Sequence, residues 1–277
     1  MIDIPAIADG LVPGPDSIWV SRSRGEISYP EEGNQNCLAL EEDSFWFAHR
    51  NRCIQALMGC VPPPGAVLDV GGGNGYVAMG LQQAGIPVVM LEPGWEGVQN
   101  ARRRGVSRLI CSTLEDAGFR PGSLPAVGMF DVLEHIQEQD TFLRQIQALL
   151  APRGRLYLTV PAYNLLWSAD DDYAGHYRRY TPGSLRAVLN AAGFRVLFSS
   201  CIFFMLPLPI FLARAVPSRL GLRKQKAWSQ YQQEHRGQPG LAGRALNALL
   251  KWEENRLRKG RAISFGGSCL VAAEKIP

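Results

Sequence analysis

Much is missing from this sequence, and each absence excludes something. The six cysteines, Cys37, Cys53, Cys60, Cys111, Cys201 and Cys269, include no CxxC pair. That leaves neither the spaced thiolates of a zinc site nor the framework of a small disulfide-stapled domain. The cysteines are expected as reduced, mostly buried thiols, and no metal site is read in the chain. The opening MIDIPAIADGLVPGPDS has no basic segment followed by an apolar one, so no secretory leader is expected and a cytoplasmic location is. The strongly apolar stretch CIFFMLPLPIFLARAV, residues 201–216, falls short of the roughly 20 residues of a bilayer-spanning helix and carries Pro207, Pro209 and Arg214. Charge of one sign is also scarce. The formal net charge is +4 with basic residues scattered, which does not point to a nucleic-acid partner. There is no internal repeat and no low-complexity tract.

What is present is an alternation. A chain of 277 residues has room for one large α/β domain with insertions or for two small ones. Phe47, Ile54, Leu57 and Met58 predict a helix within 41–60, opening at Asp43 or Ser44 and stopped by the prolines at 62–64. Residues 66–70 read as a short buried strand, and 76–84 as a helix closed by Gly85. Further strands are expected at 88–91, 109–111, 126–130 and 156–160, with a helix at 96–104. Asp140 is the expected N-cap of a helix carrying Phe142, Leu143, Ile146, Leu149 and Leu150. Thr181 and Pro182 open another helix, ended by Gly193, and a strand begins near Phe194. A last strand is expected at 269–273, after an amphipathic helix bearing Leu246, Leu249, Leu250, Glu253 and Leu257. Strands alternating with helices imply parallel pairing. The stretch 201–216 has two readings, a buried strand running into a core helix or a surface facing a membrane or a lipophilic substrate.

The densest signal is VLDVGGGNG at 67–75, with four glycines interrupted only by Asn74. Each glycine costs backbone entropy, so the cluster implies positive φ or a ligand touching the backbone. In an open α/β sheet ligands sit beyond the carboxyl ends of the strands, where the first strand meets these glycines. Two cofactor types compete for such a loop, a dinucleotide and S-adenosylmethionine. Residues 73–78 fit G-x-G-x-x-G/A, and Glu92 follows at the distance of a ribose-binding acid. Asp69, two residues before Gly71, favours the second: a carboxylate there accepts from a methionine ammonium and repels a pyrophosphate.

The chain resembles the class I S-adenosylmethionine-dependent methyltransferases through VLDVGGGNG, MLEPG, AVGMFDVLEHI and GRLYLTVPA, in order, over residues 66–200, and through the tail SFGGSCLVAAEK. The resemblance implies a Rossmann-like, doubly wound, mostly parallel seven-stranded sheet with an antiparallel last strand and a helical insertion before it. It implies a lid or extension at 1–60 and a methyltransferase domain at 61–277, with the insertion at about 205–262. It further implies that Gly71, Gly73 and Gly75 admit the cofactor, that Asp69 organises its methionine end, and that Glu92, followed by Pro93, binds the ribose hydroxyls. Thr113 stands where relatives often carry an aspartate for the adenine amine, a departure that shifts this contact to the backbone of Thr113 and Leu114. Phe130 is placed beside the reactive sulfonium. FWFAHRN is similar to a lid segment in some relatives, which makes His49 or Arg50 a candidate partner for the cofactor carboxylate, against a merely packed helix.

For the acceptor, His135 in DVLEHI either serves as a base or caps and orients its loop. His176, Trp167, Arg178, Arg179 and Tyr180 in LWSADDDYAGHYRRYT either bind a phenolic or anionic acceptor or brace the acidic run 170–172. This stretch is similar to the ubiquinone-pathway type of methyltransferase and to relatives associated with glycan synthesis, which implies O-methylation of a small phenolic, lipid-like or saccharide acceptor. A lipid-linked acceptor and peripheral membrane contact through 201–216 are expected from composition, aided by Arg256, Arg258, Lys259 and Arg261. No NPPY-like tetrapeptide and no Pro-Cys follows the fourth strand, which sets DNA base methylation aside. A nicotinamide oxidoreductase and an idle cofactor-binding partner protein are the remaining alternatives.

Overall fold

The computed structural model describes residues 3–22, 38, 40–42, 44–222 and 240–276. Asp43, one of the two expected helix openings, lies outside them, and the cap is Ser44, whose side chain accepts from Trp46 N and starts α2 (Phe45–Cys60). Before it lie α1 (Ile4–Ile7), β1 (Leu11–Pro13) and β2 (Trp19–Ser21). The alternation then follows as β3 (Val67–Val70), α3 (Tyr76–Gln83), β4 (Val88–Glu92), α4 (Trp95–Arg103), β5 (Leu109–Cys111), β6 (Leu124–Phe130), α5 (Gln139–Leu149) and β7 (Leu150–Pro161). After α6 (Ala169–Ala174), α7 (Pro182–Ala191) and β8 (Phe194–Ile202) comes the insertion. It comprises α8 (Pro207–Ile210), a π-helical turn (Phe211–Ala215), α9 (Val216–Arg219) and α10 (Gly240–Arg258), and β9 (Ser268–Lys275) closes the fold.

The strands form one sheet in the order β1-β2-β5-β4-β3-β6-β7-β9-β8. From β5 to β7 the pairing is parallel, and β9 lies antiparallel between β7 and β8. Among the described residues the count is nine, which corrects the expected seven. The additional pair, β1 and β2, forms a short antiparallel ribbon, and β2 adds to the edge of β5 in parallel. Three-residue strands flanked by glycine and proline carry too little alternation to be read from sequence. Asp140 also proves not to be a cap: Glu138 holds that position, and α5 gives way directly to β7, which runs through Pro152 and Gly154.

Cores fill both faces of the sheet, as a doubly wound fold requires. One gathers Leu68, Leu143, Ile146, Leu185 and Leu189 beneath α5 and α7. The other gathers Ile54, Leu57, Leu81, Val98 and Leu257 beneath α2, α3, α4 and α10. The apolar stretch 201–216 divides accordingly. Cys201, Ile202 and Phe203 are buried, whereas Leu208 and Leu212 on the following helical turns are exposed. Among the described residues no helix is long and apolar enough to cross a membrane.

Candidate functional site

At the carboxyl end of β3 the chain turns through Gly71 (φ +68°), Gly73 (φ +55°) and Gly75 (φ +76°) into the N-terminus of α3. The three do different work. A Cβ on Gly73 would meet nothing within 4 Å, so this glycine faces open space. One on Gly75 would lie 2.5 Å from Ala101 Cβ, which makes Gly75 the point where the loop packs on α4. One on Gly71 would touch Val132 at 3.0 Å. Of the three, Gly73 leaves open space, while Gly71 and Gly75 pack on protein.

Glu92, ending β4, fastens this loop. Its Oε2 accepts from Gly73 N at 2.9 Å and its Oε1 from Gly94 N at 2.8 Å, across Pro93. Burial raises its carboxyl above the usual range, and the two N–H groups oppose that rise. Asp69 lies fully buried below the glycines with Oδ2 unpartnered. Burial pushes its carboxyl up to about 7, with Arg50 pulling down and Glu92 pushing up. Asn74 Oδ1 accepts from Asn100 Nδ2 at 2.9 Å and its carbonyl from Arg104 Nη1 at 3.0 Å, a brace that spacing did not reveal.

Thr113 is occupied locally: its hydroxyl donates to Asp116 Oδ2 at 2.9 Å and accepts from Asp116 N at 3.0 Å, while Leu114 is buried. Phe130 turns into the core, where its ring fills the space over Gly128. The residue beside it, Asp131, faces outward with φ +58°. Asp131 accepts from Thr159 Oγ1 at 2.8 Å and pairs with Arg50. Of the two lid candidates only Arg50 reaches this mouth, with Nε still unpartnered. His49 is sealed in the core, its Nε2 3.1 Å from Glu253 Oε1 and 3.3 Å from Cys53 Sγ.

Beyond Asp131 opens a cavity of about 440 Å³. Its lining is apolar along Trp46, Leu206, Pro209, Ile210 and Ala213, beside which Arg214 pairs with Asp170 at 3.4 Å, and polar along Glu134, His135, His176, Asp171 and Arg179. The two imidazoles meet edge to face with centroids 4.7 Å apart. Burial, then His176, pushes His135 down to about 4, so it is neutral at pH 7. His176 Nδ1 lies 2.9 Å from Asp171 Oδ1, and Arg179 clamps the same carboxylate through Nε at 2.7 Å and Nη2 at 3.0 Å. Glu134 is buried with Oε2 unpartnered, and burial holds its carboxyl well above the ordinary range.

The other expected acceptor residues do not line this cavity. Trp167 donates to Asp172 Oδ1 at 3.0 Å, Arg178 to the Gln137 carbonyl at 2.7 Å, and the buried Tyr180 to Gln139 Oε1 at 2.7 Å. All three brace the loop between β7 and α7. Asp171, which sequence reading left inside an acidic run, is the hub of the polar wall. Metal-type ligand atoms also gather where spacing showed none, at Glu134, His135 and His176 and at His49, Cys53 and Glu253, each set within 4.8 Å. In the second set Glu253 already accepts from Phe203 N at 2.6 Å and Phe204 N at 3.1 Å, which makes it a hydrogen-bonded knot.

A family model described as a methyltransferase domain matches residues 44–198, which is 155 of the 277 residues. The chain belongs to the methyltransferase family. S-adenosylmethionine is this methyltransferase's cofactor, and the nicotinamide alternative for the glycine loop is thereby set aside. The loop suits that group: open space at Gly73, an unpartnered buried oxygen on Asp69 and a prefixed Glu92 carboxylate await a ligand with an ammonium and hydroxyls. The methyltransferase is similar to a ubiquinone biosynthesis O-methyltransferase of Xanthomonas euvesicatoria pv. vesicatoria, 28% identical over 149 residues, 47% of this chain and 62% of that protein. It is 33% identical over 103 residues to one from Xanthomonas campestris pv. campestris, 35% of this chain and 43% of that protein. It therefore spans less than two thirds of these relatives.

Among solved structures, a SAM-dependent methyltransferase from Thermotoga maritima, described as a possible histamine N-methyltransferase, aligns with TM-score 0.54 at 15% identity, covering 88% of this chain and 99% of that one. Haemonchus contortus phosphoethanolamine N-methyltransferase 2, in complex with S-adenosyl-L-methionine, aligns with TM-score 0.53 at 16% identity, covering 91% and 59%. At these identities the likeness shows a shared fold.

Proposed function

We propose that this methyltransferase alkylates a hydroxyl, most suitably a phenolic one, on an acceptor with an apolar part. The observation that carries the reading is the Asp171–His176 pair in a cavity also lined by the apolar Trp46, Leu206, Pro209 and Ile210. When bound, the cofactor supplies an electrophilic methyl group on a sulfonium. The cofactor would be held by the Gly73 backbone, Glu92 at its ribose, Asp69 at its ammonium and Arg50 at its carboxylate.

The chain's own contribution starts from alignment and exclusion of water, which are worth roughly 7 to 11 kcal/mol in such displacements. A phenol must also lose its proton. His176 donating Nδ1–H to Asp171 leaves Nε2 as the acceptor for that proton, and the anionic Asp171 stabilises the imidazolium that forms. Arg179 keeps Asp171 ionised and fixed. Neutral His135 packs edge to face against His176. The apolar wall of Trp46, Leu206, Pro209 and Ile210 receives the rest of the acceptor. The names of the Xanthomonas relatives support a hydroxyl acceptor, and the outward Leu208 and Leu212 support delivery from a membrane surface.

The test uses purified protein, methyl-labelled cofactor and a cell extract split into organic and aqueous fractions. Label is expected in the organic fraction on an alkali-stable ether, and to fall sharply with His176→Ala. Label confined to amines or to protein would overturn the assignment.

A further inference from the structure

Cys201 and Cys269 are register partners across the antiparallel pair β8/β9. Cys201 sends its N–H away from β9, to the Ile263 carbonyl at 2.7 Å, so the two cysteines form a non-hydrogen-bonded pair. Such pairs bring their Cα atoms to about 4.5 Å, inside the 4.4 to 6.8 Å range that a disulfide spans. Both side chains lie in the same core layer, and the Cys269 thiol donates to the Tyr180 carbonyl at 3.9 Å. The Tyr163 hydroxyl approaches Cys201 Sγ at 4.0 Å.

We propose that Cys201 and Cys269 are an oxidation site, a thiol pair that a hydroperoxide closes into a cross-strand disulfide. The neighbouring Cys269, and then Tyr163, hold the Cys201 pKa down against the effect of burial, while Cys269 is raised. Cys201 is thus the nucleophile of the pair. Its thiolate attacks the peroxide O–O bond, releasing water or an alcohol and leaving a sulfenic acid. The Cys269 sulfur then displaces hydroxide from that sulfenic acid, and the thiol proton leaves with it as water. Two thiols lose two hydrogens and two electrons, and one hydroperoxide is reduced. The pair is covered by Tyr163, a half-exposed residue at φ +57° whose ring packs 5.1 Å from the exposed Phe265. Both cysteines are fully buried, so the oxidant reaches Cys201 when Tyr163 moves aside.

None of the other described cysteines has such a geometry. Cys53 bonds to His49, Cys60 donates to the Leu257 carbonyl at 3.0 Å and Cys111 to the Pro93 carbonyl at 3.6 Å. The position also matters for the acceptor cavity, because β9 leads into it through Gly267 and Ser268 and β8 leads to the insertion that walls it. A bond between the two would fix the root of that wall.

The experiment treats the full-length, folded protein with hydrogen peroxide, blocks remaining thiols, and measures intact mass and a non-reduced peptide map. Expected are the loss of two hydrogens, one linked peptide pair containing Cys201 and Cys269, and reversal by dithiothreitol. Cys201→Ser and Cys269→Ser should each abolish the linked pair. Four results would overturn the site: a bridge through any other cysteine, an intermolecular dimer, accumulation of sulfinic acid on Cys201, or a link that forms only in guanidinium.

Discussion

His176 stands with Nδ1 2.9 Å from Oδ1 of Asp171, and the same carboxylate is gripped by Arg179. Burial alone would raise Asp171, yet the hydrogen bonds from His176 and Arg179 outweigh it and hold its carboxyl at about 2. A depressed carboxylate stabilises the fold above its unfolded pKa and loses that contribution as pH falls. The wild type should therefore lose about 2 kcal/mol between pH 4 and pH 2 on this account. Asp171→Asn should flatten that limb in urea unfolding and lower turnover by roughly 10² to 10⁴. Unchanged turnover would return Asp171 to a purely structural role.

Asp69 gives the opposite sign. Its carboxyl is raised by burial to about 7 from an ordinary 3.8, so the folded protein binds this proton more tightly than the unfolded chain. The stability it lends is complete below pH 4 and drains as pH rises to 7, by about 4 kcal/mol. Asp69→Asn should remove that slope. Cofactor binding favours the ionised form, so affinity for S-adenosylhomocysteine should rise between pH 6 and pH 8 in calorimetry. A flat profile would count against an Asp69–ammonium contact.

The two outer roles of the glycine loop separate by substitution. Gly73→Ala meets no neighbour and should cost about 1 to 2 kcal/mol for its positive φ, while cofactor affinity drops by an order of magnitude or more. Gly75→Ala collides with Ala101 and should cost at least about 3 kcal/mol, read as a lowered melting temperature without cofactor. If Gly73→Ala bound cofactor normally, the placement of the ligand beside that backbone would be wrong.

Glu253 joins α10 to the strained Phe203, at φ +61°, whose ring stacks on Trp46 at 3.8 Å on the apolar wall. Glu253→Ala leaves the Phe203 and Phe204 N–H groups without a partner and His49 with Cys53 alone, a loss of about 3 to 5 kcal/mol. Chemical denaturation checks the magnitude. Milder Glu253→Gln should retain the fold yet raise the KM for acceptor more than it changes kcat.

Much of this was legible in the chain because the signals are local. Alternating apolar segments, Thr181 and Pro182 at a helix start, and glycines before Asn74 each act through neighbours within a turn or a strand. Glu253 was visible as an acid on an apolar helical face, a signal that could have revealed its burial. The β1–β2 ribbon was not legible, because three residues per strand are too few for a period.

The alternation of strands and helices along the chain, the glycine elbow and the Glu92 carboxylate at the next strand end were thus determined by sequence alone, since near-neighbour sterics and hydrophobic periodicity specify them. Only the tertiary structure decided that Arg50 meets Asp131 from 81 positions away, that Asp171 rather than Tyr180 serves the cavity, and that Cys201 faces Cys269. Those partnerships depend on which long-range packing buries each side chain, and no spacing along the chain encodes that choice.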